Sequence, residues 1–309
     1  MKDRFKVSVI GAGNIGSTVA HLIATNELAD VVMVDVVKGL PQGKALDLFH
    51  SAPVDGYDVS ILGTNTYEET AESDVIVITA GIVRKPGMSR DDLLLTNAKI
   101  MKEVAKNCAK YSPDAKIIVV SNPLDVMAYT ALKVSGFPKS HVIGMAGVLD
   151  SARFSAFIAK AINVSVSDVT ALVLGGHGDT MIPIVRYCTV AGIPITNFLG
   201  EEKINDIIKR TRFAGGEIVS ILKTSAYYSP ATSVVSMVKA ILFDKRKVIT
   251  CSAHLSGQYG LDNVFIGVPV VLGKNGVEKI IELELTNEEK EVLTSNASSI
   301  KSLIDKVFD

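Results

Sequence analysis

The chain has 309 residues, a net charge of −1 and 48% hydrophobic residues. That length and apolar content suit one large or two medium domains with a substantial core, and the near-neutral charge gives no basis for binding nucleic acid or an anionic membrane surface. Cys108, Cys188 and Cys251 lie far apart and are odd in number, which offers no metal-ligand spacing and suits a reducing compartment, so no metal is expected.

Met1–Arg4 leads directly into a strand pattern, without a signal or transit segment, and no apolar run approaches the ~18 residues of a spanning helix. A cytoplasmic protein is therefore expected. Lys6–Ile10 is rich in β-formers. Gly11-Ala12-Gly13-Asn14-Ile15-Gly16 follows at once, a helical pattern runs from Asn14 to about Asn26, and residues 31–35 form an apolar run closed by Asp35. Strand, glycine turn, helix, strand and acid make the dinucleotide-binding pattern. The glycines permit the turn, the approach of a pyrophosphate and the packing of helix on strand, and the acid meets a ribose diol. Asp35 stands 19 residues after Gly16, near the usual offset of about 20. A carboxylate there repels a 2′-phosphate, so NAD is favoured over NADP. Enzymes that use S-adenosylmethionine share a similar turn and are the main competitor.

The alternation continues. Residues 39–51 suit a helix, 58–62 an extended segment, 66–72 a short helix and 74–80 a strongly apolar strand. A helix is expected over about 92–111, a strand over 116–120, a helix over 124–136 and a short strand over 141–145. Strands separated by helices imply a doubly wound parallel sheet of the Rossmann type, with ligands outside the carboxyl ends of the strands. Gly11, Asp35, Gly81 and the turn Val120-Ser121-Asn122 all fall at such ends.

Residues 81–92 form a loop marked by Gly81 and Pro86-Gly87, and they carry Arg84, Lys85 and Arg90. Such a loop is either a solvated basic segment or a cover that closes over an anion. Asp150 and Arg153 share one face of a helix start, either as a local ion pair or as part of a site. Residues 171–179 end an apolar strand in Gly175-Gly176-His177-Gly178-Asp179. Histidine is the side chain whose ordinary pKa lies nearest neutrality, which suits proton transfer, although a lone histidine at a strand end is also a common structural residue.

The chain resembles the lactate/malate dehydrogenase superfamily. The resemblance is carried by residues 11–16, Pro41–Asp47, Arg84–Arg90, Ser121–Asp125, Gly147–Arg153 and Gly175–Asp179, in the right order and over essentially the whole chain. Within the superfamily it looks like the malate dehydrogenases that are lactate-dehydrogenase-like in sequence. The resemblance implies catalysis by His177, Asp150 and Arg90. Asp150 would hold His177, and Arg90 would polarise the C2 carbonyl. Arg153 would grip the C1 carboxylate, Arg84 would select a second carboxylate, and Asn122 would touch both substrate and cofactor. The cofactor would meet Gly11, Ala12, Gly13, Asn14, Ile15, Gly16, Asp35, Asn97, Val120, Ser121 and Asn122. The implied reaction is reversible NAD-dependent oxidation of (S)-malate to oxaloacetate, as in the tricarboxylic acid cycle. A lactate or relaxed 2-hydroxyacid dehydrogenase is the alternative, and a homotetramer or dimer the expected assembly. Ala226 stands where lactate enzymes tend to carry threonine. Ser155 departs from relatives that carry arginine there.

Two domains are expected, a cofactor domain over 1–145 and a mixed α+β substrate domain over 146–309. In the second, strands are expected within 180–195, joined at Ala191-Gly192. Helices should cover about 203–223 and 230–243, and strands 248–254, 263–271 and 278–284. An amphipathic helix should span 287–308. His21, His50, His141 and His254 have no convergent partners and are read as structural.

Overall fold

The computed structural model describes residues 4–83 and 87–308. Apolar runs become parallel strands, buried except at the edge strand β3: β1 (Lys6–Ile10), β2 (Asp30–Val34), β3 (Ile61–Thr64), β4 (Val75–Ile78), β5 (Lys116–Val119) and β6 (Val142–Gly144). Val7, Val9, Val75, Ile76, Val77, Ile117 and Ile118 are fully buried, as strands covered on both faces require. The helices that cover them are α1 (Asn14–Thr25), α2 (Leu40–Asp55), α3 (Arg90–Tyr111) and α4 (Leu124–Ser135). Helix α1 buries Gly16, Val19, Ala20 and Ile23, one stripe at helical spacing. Helix α3 starts at Arg90, two positions ahead of the expected start. Ser89 and Asp92 form a reciprocal capping box there, which satisfies the N–H groups of the first turn.

The parallel strands lie in the order β3-β2-β1-β4-β5-β6, so chain direction across the sheet reverses between β1 and β4. That is the doubly wound topology, with its ligand crevice at the switch point.

The second half begins with α5 (Gly147–Ile162) and short strands β7 (Val169–Thr170), β8 (Val173–Leu174), β9 (Ile182–Pro183), β10 (Thr189–Val190) and β11 (Ile193–Pro194). Then come α6 (Glu201–Leu222), α7 (Tyr228–Leu242), β12 (Lys247–Ser256), β13 (Asp262–Gly273), β14 (Gly276–Ile280) and α8 (Asn287–Phe308). Its long strands do not form a separate sheet. β12 pairs antiparallel with β6 at Ser252↔Gly144, and β13 and β14 follow, so the sheet runs through nine strands across the expected boundary at residue 145. Gly144 makes this junction possible, because a Cβ there would sit 2.7 Å from the Ser252 Cβ.

Two local expectations differ from the fold. The short helix expected at 66–72 is a single 3₁₀ turn, Glu68–Thr70. The last strand ends at Ile280 rather than 284. Beyond it the backbone is held by Tyr259, whose hydroxyl donates to the Ile281 carbonyl at 2.8 Å and accepts from the Leu283 N–H at 3.0 Å. Those contacts replace a strand ladder. Among the described residues, no helix is long and apolar enough to cross a membrane.

Candidate active site

The glycine turn after β1 is closely packed on one side and open on the other. A Cβ on Gly16 would lie 1.8 Å from the Gly11 carbonyl oxygen, so the fold itself demands glycine there. A Cβ on Gly13 would meet nothing within 4 Å. Gly13 caps α1 without a side-chain hydrogen bond, and no acidic residue stands in the first turn. The helix N-terminus therefore presents free N–H donors and a positive dipole end to open space, which is what a pyrophosphate needs. The residues present fit a dinucleotide.

Asp35 fastens this turn. Its carboxylate accepts from the Ala12 N–H at 2.7 Å and from the Val37 N–H at 2.9 Å. Two acceptor sites of the carboxylate remain for a further donor such as a ribose hydroxyl.

Asn97 is 3% exposed rather than solvated. Its side-chain amide donates to the carbonyls of Asn122 (2.8 Å) and Ile82 (3.2 Å), and its oxygen accepts from the Ile82 N–H at 2.8 Å. It joins the start of the 81–92 loop to the turn after β5, and this buried role had no signal in the helical pattern.

The substrate end gathers three side chains. The His177 Nδ1–H donates to Asp150 Oδ2 at 2.8 Å, and Arg153 donates to Asp150 Oδ1 at 3.3 Å. Asp150 is only 2% exposed. The bond to Asp150 commits Nδ1, so Nε2 is the ring atom available to a substrate. The backbone behind the histidine is pinned to β13: Gly175 and Gly267 exchange N–H···O bonds of 2.9 and 3.1 Å. A Cβ on Gly267 would fall 2.5 Å from the Gly175 oxygen, so this approach needs the missing side chain. Burial pulls the His177 pKa down. The charge and hydrogen bond of Asp150, helped by Asp125, outweigh it and leave the imidazole above its ordinary value. The Arg153 Nε is buried and has no partner, a donor left waiting beside the histidine.

A cleft of about 600 Å³ joins the two ends. Gly13, Asn14, Ile15, Asn97, Val120, Ser121 and Asn122 line it on the cofactor side, and Asp150, Arg153, His177 and Ala226 on the other. Gly11, Ala12, Gly16 and Asp35 support the turn without lining the cleft. Arg90 is the first residue of α3, is exposed and does not line the cleft. Arg84, the expected selector, lies outside the described residues.

Two residues with no assigned role belong to this region. Asp125, in the first turn of α4, is buried and accepts from the Ser252 hydroxyl at 2.6 Å. Burial pushes its pKa up to about 6, against the opposing pull of Ser252 and His177. Its place three residues after Asn122 was visible in the sequence, but its partner on β12 was not. Arg212, on α6, also lines the cleft, and nothing in the amphipathic pattern of that helix set it apart.

Family models match this chain in two blocks. Residues 5–144 match the lactate/malate dehydrogenase NAD-binding domain, and residues 147–309 the lactate/malate dehydrogenase alpha/beta C-terminal domain. The chain belongs to the lactate/malate dehydrogenase family, whose members are NAD-dependent oxidoreductases. A malate dehydrogenase of Heliobacterium modesticaldum is 54% identical over 302 residues, 97% of this chain and 98% of that one. The crystal structure of the Cryptosporidium parvum malate dehydrogenase superposes with a TM-score of 0.96 at 48% identity, covering 99% of each chain. The lactate dehydrogenase of the same organism, solved with lactic acid and nicotinamide adenine dinucleotide, also reaches 0.96, at 43% identity over 100% of this chain and 99% of that one. Backbone shape is thus equally close to both activities, and the choice of substrate rests on side chains.

Proposed function

We propose that this chain catalyses the reversible NAD-dependent oxidation of (S)-malate to oxaloacetate. One observation carries the chemistry: His177, Asp150 and Arg153 converge in the cleft that the open glycine turn also lines. Gly13, Asn14 and Ile15 would hold the pyrophosphate, Asp35 the ribose, and Asn97, Val120, Ser121 and Asn122 the nicotinamide end. Bound there, NAD would supply the hydride acceptor for malate oxidation and, as NADH, the hydride donor for the reverse.

The protein's side chains do the rest. Arg153 grips the C1 carboxylate through two parallel hydrogen bonds, which fixes C2 in place. His177 Nε2 takes the C2 hydroxyl proton as the carbonyl forms. Asp150 holds the ring in one orientation and stabilises the imidazolium that results. Arg90, brought over by the 81–92 loop, polarises the C2–oxygen bond. Arg84 meets the second carboxylate, which would otherwise be desolvated without a partner. A monocarboxylate substrate would leave Arg84 facing a methyl group, so the same residue disfavours pyruvate. The high identity to a malate dehydrogenase supports this reading over the lactate alternative.

The finer assignments are a homo-oligomer, tetramer favoured over dimer, working in the cytoplasm on the malate step of the tricarboxylic acid cycle. Exposed apolar side chains support self-association: Leu46, Phe49 and Val54 on α2, and Phe213, Ile221 and Leu222 on α6. The functional halves are assigned to 1–145 and 146–309.

The test is NADH oxidation with oxaloacetate and with pyruvate under matched conditions. A kcat/KM at least ~100-fold higher for oxaloacetate, about 2.7 kcal/mol of discrimination, is expected. A preference for pyruvate would overturn the malate assignment and leave the fold, cofactor and histidine chemistry standing.

A further inference from the structure

Helix α8 carries one polar residue in its buried stripe. Leu293, Asn296, Ala297, Ile300, Ile304 and Val307 are its buried positions, and all but Asn296 are apolar. Asn296 is 6% exposed. A buried amide is costly unless it is paired. This one is paired to the segment that carries His177: its Nδ2–H donates to the Thr180 carbonyl at 3.0 Å.

Residues 175–181 join β8 to β9 and hold His177 between Gly176 and Gly178. Glycine neighbours give the ring no flanking side chain to pack on, so its orientation is imposed from outside the turn. Backbone pairing fixes the root, Leu174 with Ile182 and Gly175 with Gly267. Asn296 fills the space just inside that root. A Cβ on Gly175 would lie 2.9 Å from its Nδ2, so the amide rests against the entry side of the turn while bonding the exit side. The next carbonyl, that of Met181, is bonded by Arg212 Nε–H of α6 at 3.3 Å. Helix α8 is itself held at its far end, where Lys306 pairs with Asp91 of α3 at 2.9 Å and the Val307 carbonyl accepts from Lys102 Nζ at 2.8 Å. The amide is presented to the turn from a fixed helix.

We infer that Asn296 is a positioning residue, which keeps His177 in register with Asp150 by spanning the two sides of the histidine turn. The inference rests on the proton transfer by His177 proposed above, and not on which 2-oxo acid is the substrate. Asp150 and Arg153 both come from α5. Loss of the Asn296 bond leaves them in place and frees the turn alone, so the 2.8 Å bond between His177 and Asp150 is what loosens. The groups that act on the ring are burial, which disfavours the imidazolium, then Asp150, which favours it, Arg153, which opposes it, and Asp125 of α4, which favours it. With Asp150 farther away, burial prevails.

The test compares Asn296→Leu, which keeps the shape and removes the N–H donors, with Ile304→Ala, a core truncation two turns along the same helix. Each full-length variant is measured by steady-state kinetics with oxaloacetate, NADH titration, thermal melting and the pH profile of the reductive rate. Wild-type turnover comes first: no turnover of oxaloacetate or pyruvate would remove the proposed reaction, and this inference with it, before any variant is compared. Asn296→Leu should lower kcat about 10–100-fold through misplacement of the ring. Its KM should stay within about twofold, because Arg153 still grips the C1 carboxylate. NADH affinity should not change, and the high-pH limb of the reductive profile should move to lower pH. Ile304→Ala should lower the melting temperature and leave both kcat and that limb close to wild type. An unchanged kcat in Asn296→Leu would overturn the inference. So would a fall in kcat with the limb unmoved, or the same kinetic loss in Ile304→Ala, since either would make Asn296 a packing residue only. If the leucine variant does not fold, Asn296→Ala, which removes the donors without adding apolar bulk, is judged by the same readouts.

Discussion

The two ends of the cleft are built on different principles. The cofactor end is local. Gly11–Gly16, the start of α1 and Asp35 lie within one βαβ unit, and their contacts are already made: Asp35 bonds the Ala12 N–H, and Gly16 packs on Gly11. The substrate end is assembled from distant segments. Asn122 follows β5, Asp150 and Arg153 share α5, His177 follows β8, Arg212 is on α6 and Ala226 precedes α7. One end is a preformed cradle. The other is put together from side chains that only the folded chain brings into one cleft.

That difference is sharpest under substitution of His177. Removing a general acid–base costs about 10²–10⁴ in rate. His177→Gln should lower kcat by about 10³-fold while NADH affinity stays unchanged, because no contact of the cofactor end involves the ring. Stopped-flow turnover beside a binding titration checks this. A parallel loss of NADH binding would mean that the two ends are not separable.

The cofactor end can be divided in the same way. Gly13→Ala places a methyl group in space that is empty in the protein but needed by the pyrophosphate. Stability should hold and the Kd for NADH should rise about 10-fold, or about 1.4 kcal/mol. Gly16→Ala drives a methyl group into the Gly11 carbonyl and should destabilise the fold by about 1–3 kcal/mol. Thermal melts and NADH titrations on both variants decide it. If Gly13→Ala melts early and still binds NADH, the open space is not the phosphate site.

Legibility followed the same division. The parallel strands and the glycine turn were readable because local patterning and the ligand's demands coincide within a few dozen residues. His177 and Asp150 are far apart in sequence, and it was the family resemblance, not spacing, that paired them. Asp125 and Arg212 were not found. The first needs Ser252 from β12 to explain its burial, and the second needs knowledge of which face of α6 meets the cleft. The continuous sheet was missed for a related reason. The single register pair Ser252↔Gly144 joins residues more than a hundred positions apart, and no periodicity announces it.

The smallest effect concerns the proton rather than the scaffold. Burial alone would hold His177 below its ordinary pKa, and Asp150 reverses that. Reduction of oxaloacetate needs the imidazolium, so it should persist above pH 6.5 and decline as pH rises through the elevated pKa. The sign for stability is the same: a raised folded-state pKa contributes stability that is full below about pH 6.5 and is lost as pH climbs through the folded value. Asp150→Asn removes the charge but can still accept the Nδ1–H bond, so burial should prevail and the pKa should fall below its ordinary value. The high-pH limb of the reductive kcat profile should then move to lower pH, and the low-pH limb of malate oxidation should move with it, because that direction needs the neutral ring. The shift should appear in both directions of catalysis and leave the NADH titration unchanged across the same pH range. If both limbs stay in place in Asp150→Asn, some other group sets them, and the proton does not pass through a histidine tuned by Asp150.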